Sequence, residues 1–147
     1  MGLEAWALGF AAWAAGPTFA LSVVVPGDSR QSLGKHGEDL ACRELLRLGY
    51  AILDRRYRTR IGELDIVARD GETVVFVEVK ARGSGRCGAA AEAVTPLKRR
   101  KLAQMAADYV ARRRLERSPC RFDVVAVEVG HPAPRVTIFR SAFSVDG

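Results

Sequence analysis

The feature that most constrains this chain is a pair of segments, 61–69 and 72–80, each of which has the length and the Val and Ile content of a β-strand. The two segments are joined by Asp70 and Gly71. An Asp-Gly pair between two such segments is the strongest short-range indicator of a β-hairpin. The chain is therefore predicted to contain an antiparallel pair of strands whose two faces can be assigned from the sequence.

Side chains alternate across a strand, and directly paired residues share a face. With Asp70 and Gly71 as the two turn residues, Arg69 pairs with Glu72, and one face carries Glu63, Asp65, Glu78 and Lys80. The opposite face is apolar and is expected to enter the core, with Leu64, Ile66, Val75, Val77 and Val79. In this register Asp65 and Glu78 are diagonal neighbours, with Cα atoms about 7–8 Å apart or somewhat less.

Three acids on one face repel one another unless a cation or protonation relieves them. The strand at 74–80 is otherwise apolar enough to be central in its sheet, and Lys80 offsets only part of the charge. Oxygen ligands of this kind suit Mg²⁺, which keeps several waters and shares its shell with phosphate. For Glu63 alone, an ordinary wet strand face is the better interpretation. For the set of four, a metal site is favoured.

The rest of the chain predicts an α/β domain. The expected elements are a helix at 32–48 ended by Gly49, strands at 50–57, 61–69 and 72–80, a loop at 81–94, a helix from Thr95-Pro96 to about Arg114, a strand at 122–129 and an edge strand at 135–139. Threonine as N-cap followed by proline at the first helical position is a typical helix start.

The first thirty residues are predicted to be an apolar appendage to a domain at 31–147. Residues 5–25 carry no charge, and a helix of that length could just span a bilayer. Gly16-Pro17 interrupts the run, and no Lys or Arg precedes it as in a signal peptide. A membrane role is therefore disfavoured. The three cysteines form no Cys-x-x-Cys pair, which argues against disulfides and structural zinc and fits a cytoplasmic protein.

The net charge is +6, and every Lys and Arg lies at or after Arg30. A basic domain can bind a polyanion, although solubility alone is an equal explanation of charge. Four basic residues, Lys98, Arg99, Arg100 and Lys101, crowd a predicted helix start, where they oppose the helix dipole. Arg56, Arg58 and Arg60 are predicted to share one face of an extended segment, with Arg82 beyond the hairpin. All eight are interpreted as contacts to nucleic-acid phosphates.

Several motifs carry a resemblance. Asp65 followed by Glu78-Val79-Lys80 resembles the signature of PD-(D/E)XK nucleases, and GKHGE (34–38) is similar to the first-helix glutamate motif of their junction-resolvase-like branch. A closer resemblance, over about residues 32–143, is to the bacterial YraN family, through GELDIV (62–67), FVEVK (76–80), Lys98, RFDVV (121–125) and AF (142–143). Leu64 stands where the superfamily's name has proline.

The resemblance implies a restriction endonuclease-like αβββαβ core, with a mixed sheet flanked by helices. It also implies that Asp65, Glu78 and the Val79 carbonyl ligate Mg²⁺ or Mn²⁺, and that Lys80 orients or deprotonates the attacking water. Glu38 would be a further ligand, direct or through water. Its alternative role is an exposed acid in the first turn of a helix, where it favours the dipole. Glu63 is either a partner of the ligands or of Arg60.

The first functional hypothesis is a metal-dependent endonuclease that hydrolyses phosphodiester bonds of DNA, structured or branched rather than of one sequence. The alternative is a nucleic-acid-binding scaffold with the nuclease fold and little or no turnover. A third, membrane-tethered protein is supported only by residues 5–25. DNA is thus the expected partner, with no small-molecule cofactor. A homodimer is compatible with the symmetry of branched DNA.

Overall fold

The structure is a computed structural model that describes residues 29–83, 94–130 and 132–144. Its elements are α1 (Ser29–Arg47), β1 (Ala51–Thr59), β2 (Gly62–Asp70), β3 (Thr73–Gly83), α2 (Pro96–Arg113), β4 (Cys120–Val129) and β5 (Arg135–Phe139). The predicted appendage, apart from Ser29 and Arg30 in α1, lies outside the described residues, as does most of the predicted loop. In the described part, no helix is both long and apolar enough to cross a bilayer.

The five strands form one mixed sheet in the order β1-β2-β3-β4-β5. Neighbouring strands are antiparallel except β3 and β4, which pair in parallel. A parallel pair needs a crossover, and α2 lies in that connection. The predicted α/β fold, with a mixed sheet flanked by helices, is confirmed.

Each face of the sheet is covered by one helix, which gives two apolar clusters. The α1 cluster buries Ala41, Cys42, Leu45, Tyr50, Ile66, Ala68, Val75, Val77, Val125 and Val127. The α2 cluster buries Leu64, Val67, Val74, Phe76, Val94, Leu102, Met105, Ala106, Tyr109, Phe122, Val124 and Phe143. The central strands β3 and β4 contribute to both clusters, because apolar side chains on both of their faces are removed from water.

Most element boundaries follow the sequence pattern. Gly49 has φ +91° just after α1, as a helix-terminating residue should, although α1 begins three residues before the predicted start. At α2, the Thr95 side chain accepts a hydrogen bond from the Lys98 N–H at 3.2 Å, so the predicted N-cap is confirmed. Residues 81–83 were expected to be loop, but they continue β3 because their pairing with β4 extends to Gly83.

The hairpin turn differs from the prediction. Asp70 pairs with Thr73, so Gly71 and Glu72 form the turn, and every pair is shifted by two residues from the expected register. Gly71 has φ +59° and occupies the first central position, where the favoured hairpin turns need positive φ. The Asp70 carboxylate instead accepts a hydrogen bond from Arg121 at 3.0 Å, which holds Asp70 in the strand.

Strict alternation along β2 was also wrong at one residue. Ile66 lies in the α1 cluster as predicted, whereas Leu64 lies in the α2 cluster. The neighbouring strand β1 is irregular as well, because its register with β2 shifts between Ile52 and Asp54 and because Arg56 has φ +53°. A residue with positive φ does not continue the pleat, so side chains on either side of it need not alternate.

Candidate functional site

The site begins where the β2–β3 ladder ends. Its last backbone pair is Ile66 with Val77, and the register continued by one residue sets Asp65 opposite Glu78. There the Asp65 Oδ2 accepts a hydrogen bond from the Val79 N–H at 2.9 Å. A side chain thus takes the place of a backbone partner. Asp65 and Glu78 are therefore brought closer together than the diagonal arrangement predicted from the sequence.

Glu38 reaches the same place from α1. The preceding residue, Gly37, is buried against β3, and a Cβ on Gly37 would lie 2.6 Å from the Ala81 Cβ. Only glycine lets the helix lie this close to the strand. One carboxylate oxygen from each of Glu38, Glu63 and Asp65 lies within 4.8 Å of the other two. The close helix–strand contact therefore adds Glu38 to the two acids that β2 itself supplies, Glu63 and Asp65.

Glu78 is a buried acid, 6% exposed, with unequal oxygens. Its Oε1 lies 3.4 Å from the Lys80 Nζ and 3.6 Å from the Lys98 Nζ. Its Oε2 is buried and has no hydrogen-bond partner among the described residues. A buried oxygen without a partner costs free energy, since it has lost its water and gained nothing in return.

The environment of Asp65 disfavours its negative charge. Burial, followed by the nearby Glu78 carboxylate, raises the pKa of Asp65 to about 7, and Glu38 adds to the increase. The hydrogen bond from the Val79 N–H acts in the opposite direction. Two carboxylates that share one site cannot both ionise cheaply unless a cation joins them.

These side chains line a cavity of about 750 Å³ that also includes Arg30, Leu33, Gly34, Ala81, Arg82 and Gly83. The residues present fit a divalent cation: Asp65 and Glu78 supply oxygen donors, the Glu78 Oε2 is unsatisfied, and a Glu38 oxygen lies within 4.8 Å of an Asp65 oxygen. Val79 lines the cavity as well. A hard cation would relieve both the repulsion at Asp65 and the unsatisfied oxygen of Glu78.

Arg56, Arg58 and Arg60 do not all share one face, contrary to the prediction. Arg56 donates to Glu38 at 2.8 Å, on the α1 side, whereas Arg60 lines a different cavity beside α2 with Gln104. Arg60 lies beyond the end of β1 at Thr59, so the alternation of the strand does not extend to it. Arg58 is exposed and pairs with Glu63 at 3.2 Å, so the partner of Glu63 is Arg58 and not Arg60.

The four basic residues at the start of α2 separate into three environments. Lys98 contacts Glu78, and Arg99 donates to the Val94 carbonyl at 3.0 Å while lying over the Phe143 ring. Arg100 and Lys101 are exposed. Arg82 is also exposed, at the rim of the Glu78 cavity. The structure thus brings one of the four, Lys98, to the acidic site.

Two polar arrangements were missed from the sequence. Arg121 binds Asp123 through two hydrogen bonds and also donates to Tyr50 and Asp70. An Arg and an Asp two residues apart share a strand face, and this spacing was the available indicator. The second arrangement joins β1 to α2, where the Tyr57 hydroxyl donates to Asp108 at 2.7 Å and Tyr109 donates to Asp54 at 2.8 Å. Tyr57 therefore packs at the edge of the core.

Comparisons with known proteins identify the family. The family model described as "Uncharacterised protein family UPF0102" matches residues 37–127, which include Glu38, Asp65, Glu78 and Lys98. A UPF0102 protein of Anaeromyxobacter dehalogenans is 50% identical over 121 residues, covering 82% of this chain and 90% of the relative. A UPF0102 protein of Geotalea uraniireducens is 42% identical over 116 residues, covering 78% of this chain and 91% of the relative.

A third relative, from Rhodococcus opacus, is 45% identical over 113 residues, which are 76% of this chain and 96% of the relative. The family match covers more than half of the chain, and the relatives are covered almost completely. The resemblance stated from the motifs is therefore confirmed. This chain belongs to the UPF0102 (YraN) family of the restriction-endonuclease-like superfamily.

Proposed function

We propose that this protein is a metal-dependent endonuclease that hydrolyses phosphodiester bonds in DNA. The observation that carries the proposal is the convergence of Asp65, Glu78 and Lys80 at one cavity, with an unsatisfied buried oxygen on Glu78. A scaffold that only bound DNA would gain nothing from a buried, incompletely paired carboxylate, because such a group destabilises the fold.

The reaction forms one bond between a water oxygen and phosphorus and breaks one P–O ester bond. The water gives up a proton, and the leaving oxygen takes one. Asp65 and Glu78, with the Val79 carbonyl, would hold Mg²⁺ or Mn²⁺, and Glu38 would add a ligand directly or through water. A divalent cation bound there lowers the pKa of its water and offsets the charge that develops on the phosphoryl group.

Lys80 is suited to position the attacking water. Lys80 and Glu78 lie two residues apart on β3, and their side chains meet at 3.4 Å. The ammonium group can hold the water by hydrogen bonding and can balance negative charge on the phosphate. Because Lys80 contacts a proposed metal ligand, its effect is expected on turnover more than on DNA affinity.

The exposed basic residues support DNA as the substrate class. Arg60, Arg82, Arg100 and Lys101 are exposed and are proposed to contact phosphates without reading base sequence. Arg56 and Arg58 pair with Glu38 and Glu63, so their contact with DNA would require them to exchange these carboxylates for phosphates. Phosphate contacts distinguish the shape of the DNA backbone and not its base sequence. Branched or structured DNA is therefore the first substrate to test.

The test uses the purified full-length chain with branched, single-stranded and duplex DNA in Mg²⁺, Mn²⁺ or EDTA. We expect cleavage in either metal and none in EDTA. Asp65→Asn and Lys80→Ala should each lose at least about 100-fold in turnover, the scale of losing one transition-state contact, while DNA affinity changes little. Glu72→Gln is the matched control, because Glu72 is an exposed acid in the hairpin turn.

The outcomes are distinct. Cleavage that is equal in wild type and Asp65→Asn would show that Asp65 is not a ligand and would attribute the activity to a contaminant. DNA binding with no metal-dependent cleavage of any of the three substrates would overturn the endonuclease proposal and support the scaffold instead.

A further inference from the structure

Two ammonium groups from different elements meet on a single carboxylate oxygen. The Lys80 Nζ on β3 and the Lys98 Nζ on α2 lie 3.4 Å and 3.6 Å from the Glu78 Oε1. Lys80 is placed there by the strand, since it shares a face with Glu78. Lys98 is placed there only by the docking of α2 on the sheet, and so it approaches the acids from a different direction.

The position of Lys98 is unfavourable for a cation in a free helix. It is the third residue of α2, its first turn contains no acid, and a positive charge there opposes the helix dipole. Its backbone is fixed, because the Lys98 N–H donates to the Thr95 Oγ1 at 3.2 Å. Its side chain remains 38% exposed, so the ammonium group touches Glu78 and solvent at once. An anion on the solvent side could therefore approach the Lys98 ammonium group directly.

We propose that Lys98 is a further catalytic residue, which binds a non-bridging oxygen of the reacting phosphate from the α2 side. The inference rests on the proposed endonuclease function. Lys80 lies on the same strand as Glu78 and is placed beside the attacking water. Lys98 approaches the same oxygen from a separate element with a side chain that is 38% exposed, so its ammonium group is placed to bind the phosphate.

The neighbours of Lys98 do not serve this role. Arg99 is occupied by the Val94 carbonyl and the Phe143 ring, and Arg100 and Lys101 are exposed without a contact to the acids. Lys98 was predicted from the sequence as one of several equivalent phosphate contacts. The contact with Glu78 instead distinguishes Lys98 from the other basic residues of α2. A contact at the reacting phosphate affects the transition state, whereas a contact elsewhere on the DNA backbone affects binding.

The experiment compares Lys98→Ala, Lys98→Arg and Lys101→Ala in the full-length chain. Turnover is measured at saturating DNA with Mg²⁺, and affinity is measured separately on uncleaved DNA in EDTA. Lys98→Ala is expected to lower turnover about 100- to 1,000-fold, as for removal of one oxyanion contact, with affinity reduced much less. Lys98→Arg keeps the charge and should recover part of the loss.

Lys101→Ala removes the same charge three residues further along α2 and is expected to weaken DNA affinity rather than turnover. Arg117→Ala, at an exposed position distant in sequence from the acids, is the neutral control. Equal, small effects of Lys98→Ala and Lys101→Ala on an active wild type would overturn the Lys98 inference and leave the endonuclease proposal intact. A wild type that binds DNA but never cleaves it would overturn both, so the two failures are distinguishable.

Discussion

Neighbouring strands of one sheet carry two buried acids in opposite circumstances. Asp123 on β4 is fully buried, and its oxygens accept two hydrogen bonds from Arg121 and one from the Ser141 N–H. Glu78 on β3 is 6% exposed, yet its Oε2 has no partner among the described residues and its Oε1 has only ammonium contacts beyond 3.3 Å. The described part of the protein therefore supplies hydrogen-bond partners to both oxygens of one buried carboxylate and leaves an oxygen of the other without one.

The difference separates a structural acid from a candidate functional acid. Around Asp123, Arg121 also contacts Tyr50 and Asp70, so the network ties β4 to the end of β2 and to the segment between α1 and β1. Such a network stabilises the fold, and nothing remains for a ligand to satisfy. Around Glu78 and Asp65, repulsion and an unsatisfied oxygen persist, and a bound cation would remove both.

The largest effect that tests the comparison is expected at Arg121. Replacing Arg121 by Met leaves the buried Asp123 charge without its partner, and loss of one member of a buried pair costs about 3–5 kcal/mol. Urea unfolding followed by circular dichroism would measure the change. Arg135→Met removes an exposed arginine from β5 and should stay within about 0.5 kcal/mol of wild type. Equal stability of the two variants would contradict the structural role given to Arg121.

A second effect is expected at Gly37, which positions Glu38 at the functional end of the sheet. Gly37→Ala places a Cβ 2.6 Å from the Ala81 Cβ, and overpacking of this kind costs about 1–3 kcal/mol. The displaced helix should also weaken Mn²⁺ binding, measured by calorimetry. Gly34→Ala is the matched control for stability, because its Cβ meets no atom within 4 Å and alanine favours the helix. A stable Gly37→Ala variant with unchanged Mn²⁺ affinity would show that the close helix–strand contact is dispensable.

The smallest expected effect is at Asp65, where the substitution should stabilise the protein instead of destabilising it. The raised pKa of Asp65 means that the folded protein binds a proton more tightly than the unfolded chain between about pH 4 and 7. Stability from this group is therefore full at low pH and is lost as the pH rises through about 7. In EDTA at pH 8, Asp65→Asn should be more stable than wild type by about 1–2 kcal/mol, which is less than the full pKa shift corresponds to because a buried amide is also costly, and the gain should vanish near pH 4.

Asp123→Asn provides the opposite sign, because it weakens a satisfied pair and should destabilise the protein at neutral pH. Urea unfolding at pH 8 and pH 4.5 would compare the two variants with wild type. If both substitutions destabilise the protein equally at pH 8, the distinction between a satisfied and an unsatisfied acid fails.

Much of the architecture followed from local pattern. The hairpin, the capped helix at Thr95 and the order of strands needed only periodicity and turn chemistry, which act between residues close in the chain. The predicted turn was two residues out of register, yet Glu78 and Lys80 kept a common side of β3, because side chains alternate with a period of two and an even shift preserves the face. The Asp70 carboxylate bonds to Arg121, fifty-one residues away, and no local pattern contains that contact.

The residues of the candidate site could therefore be identified from the sequence, whereas the contacts between separate elements of the site could not. Asp65, Glu78 and Lys80 lie on one hairpin, so alternation and spacing determine that they are neighbours. The positions of Glu38 and Lys98 depend on how two helices dock, and a contact such as Gly37 against Ala81 has no expression in either segment alone. Long-range packing and charge pairing are properties of surfaces that meet only after folding. Only the tertiary structure therefore shows the broken pleat at Arg56, the hydrogen bonds that satisfy Asp123 and the oxygen of Glu78 that has no partner among the described residues.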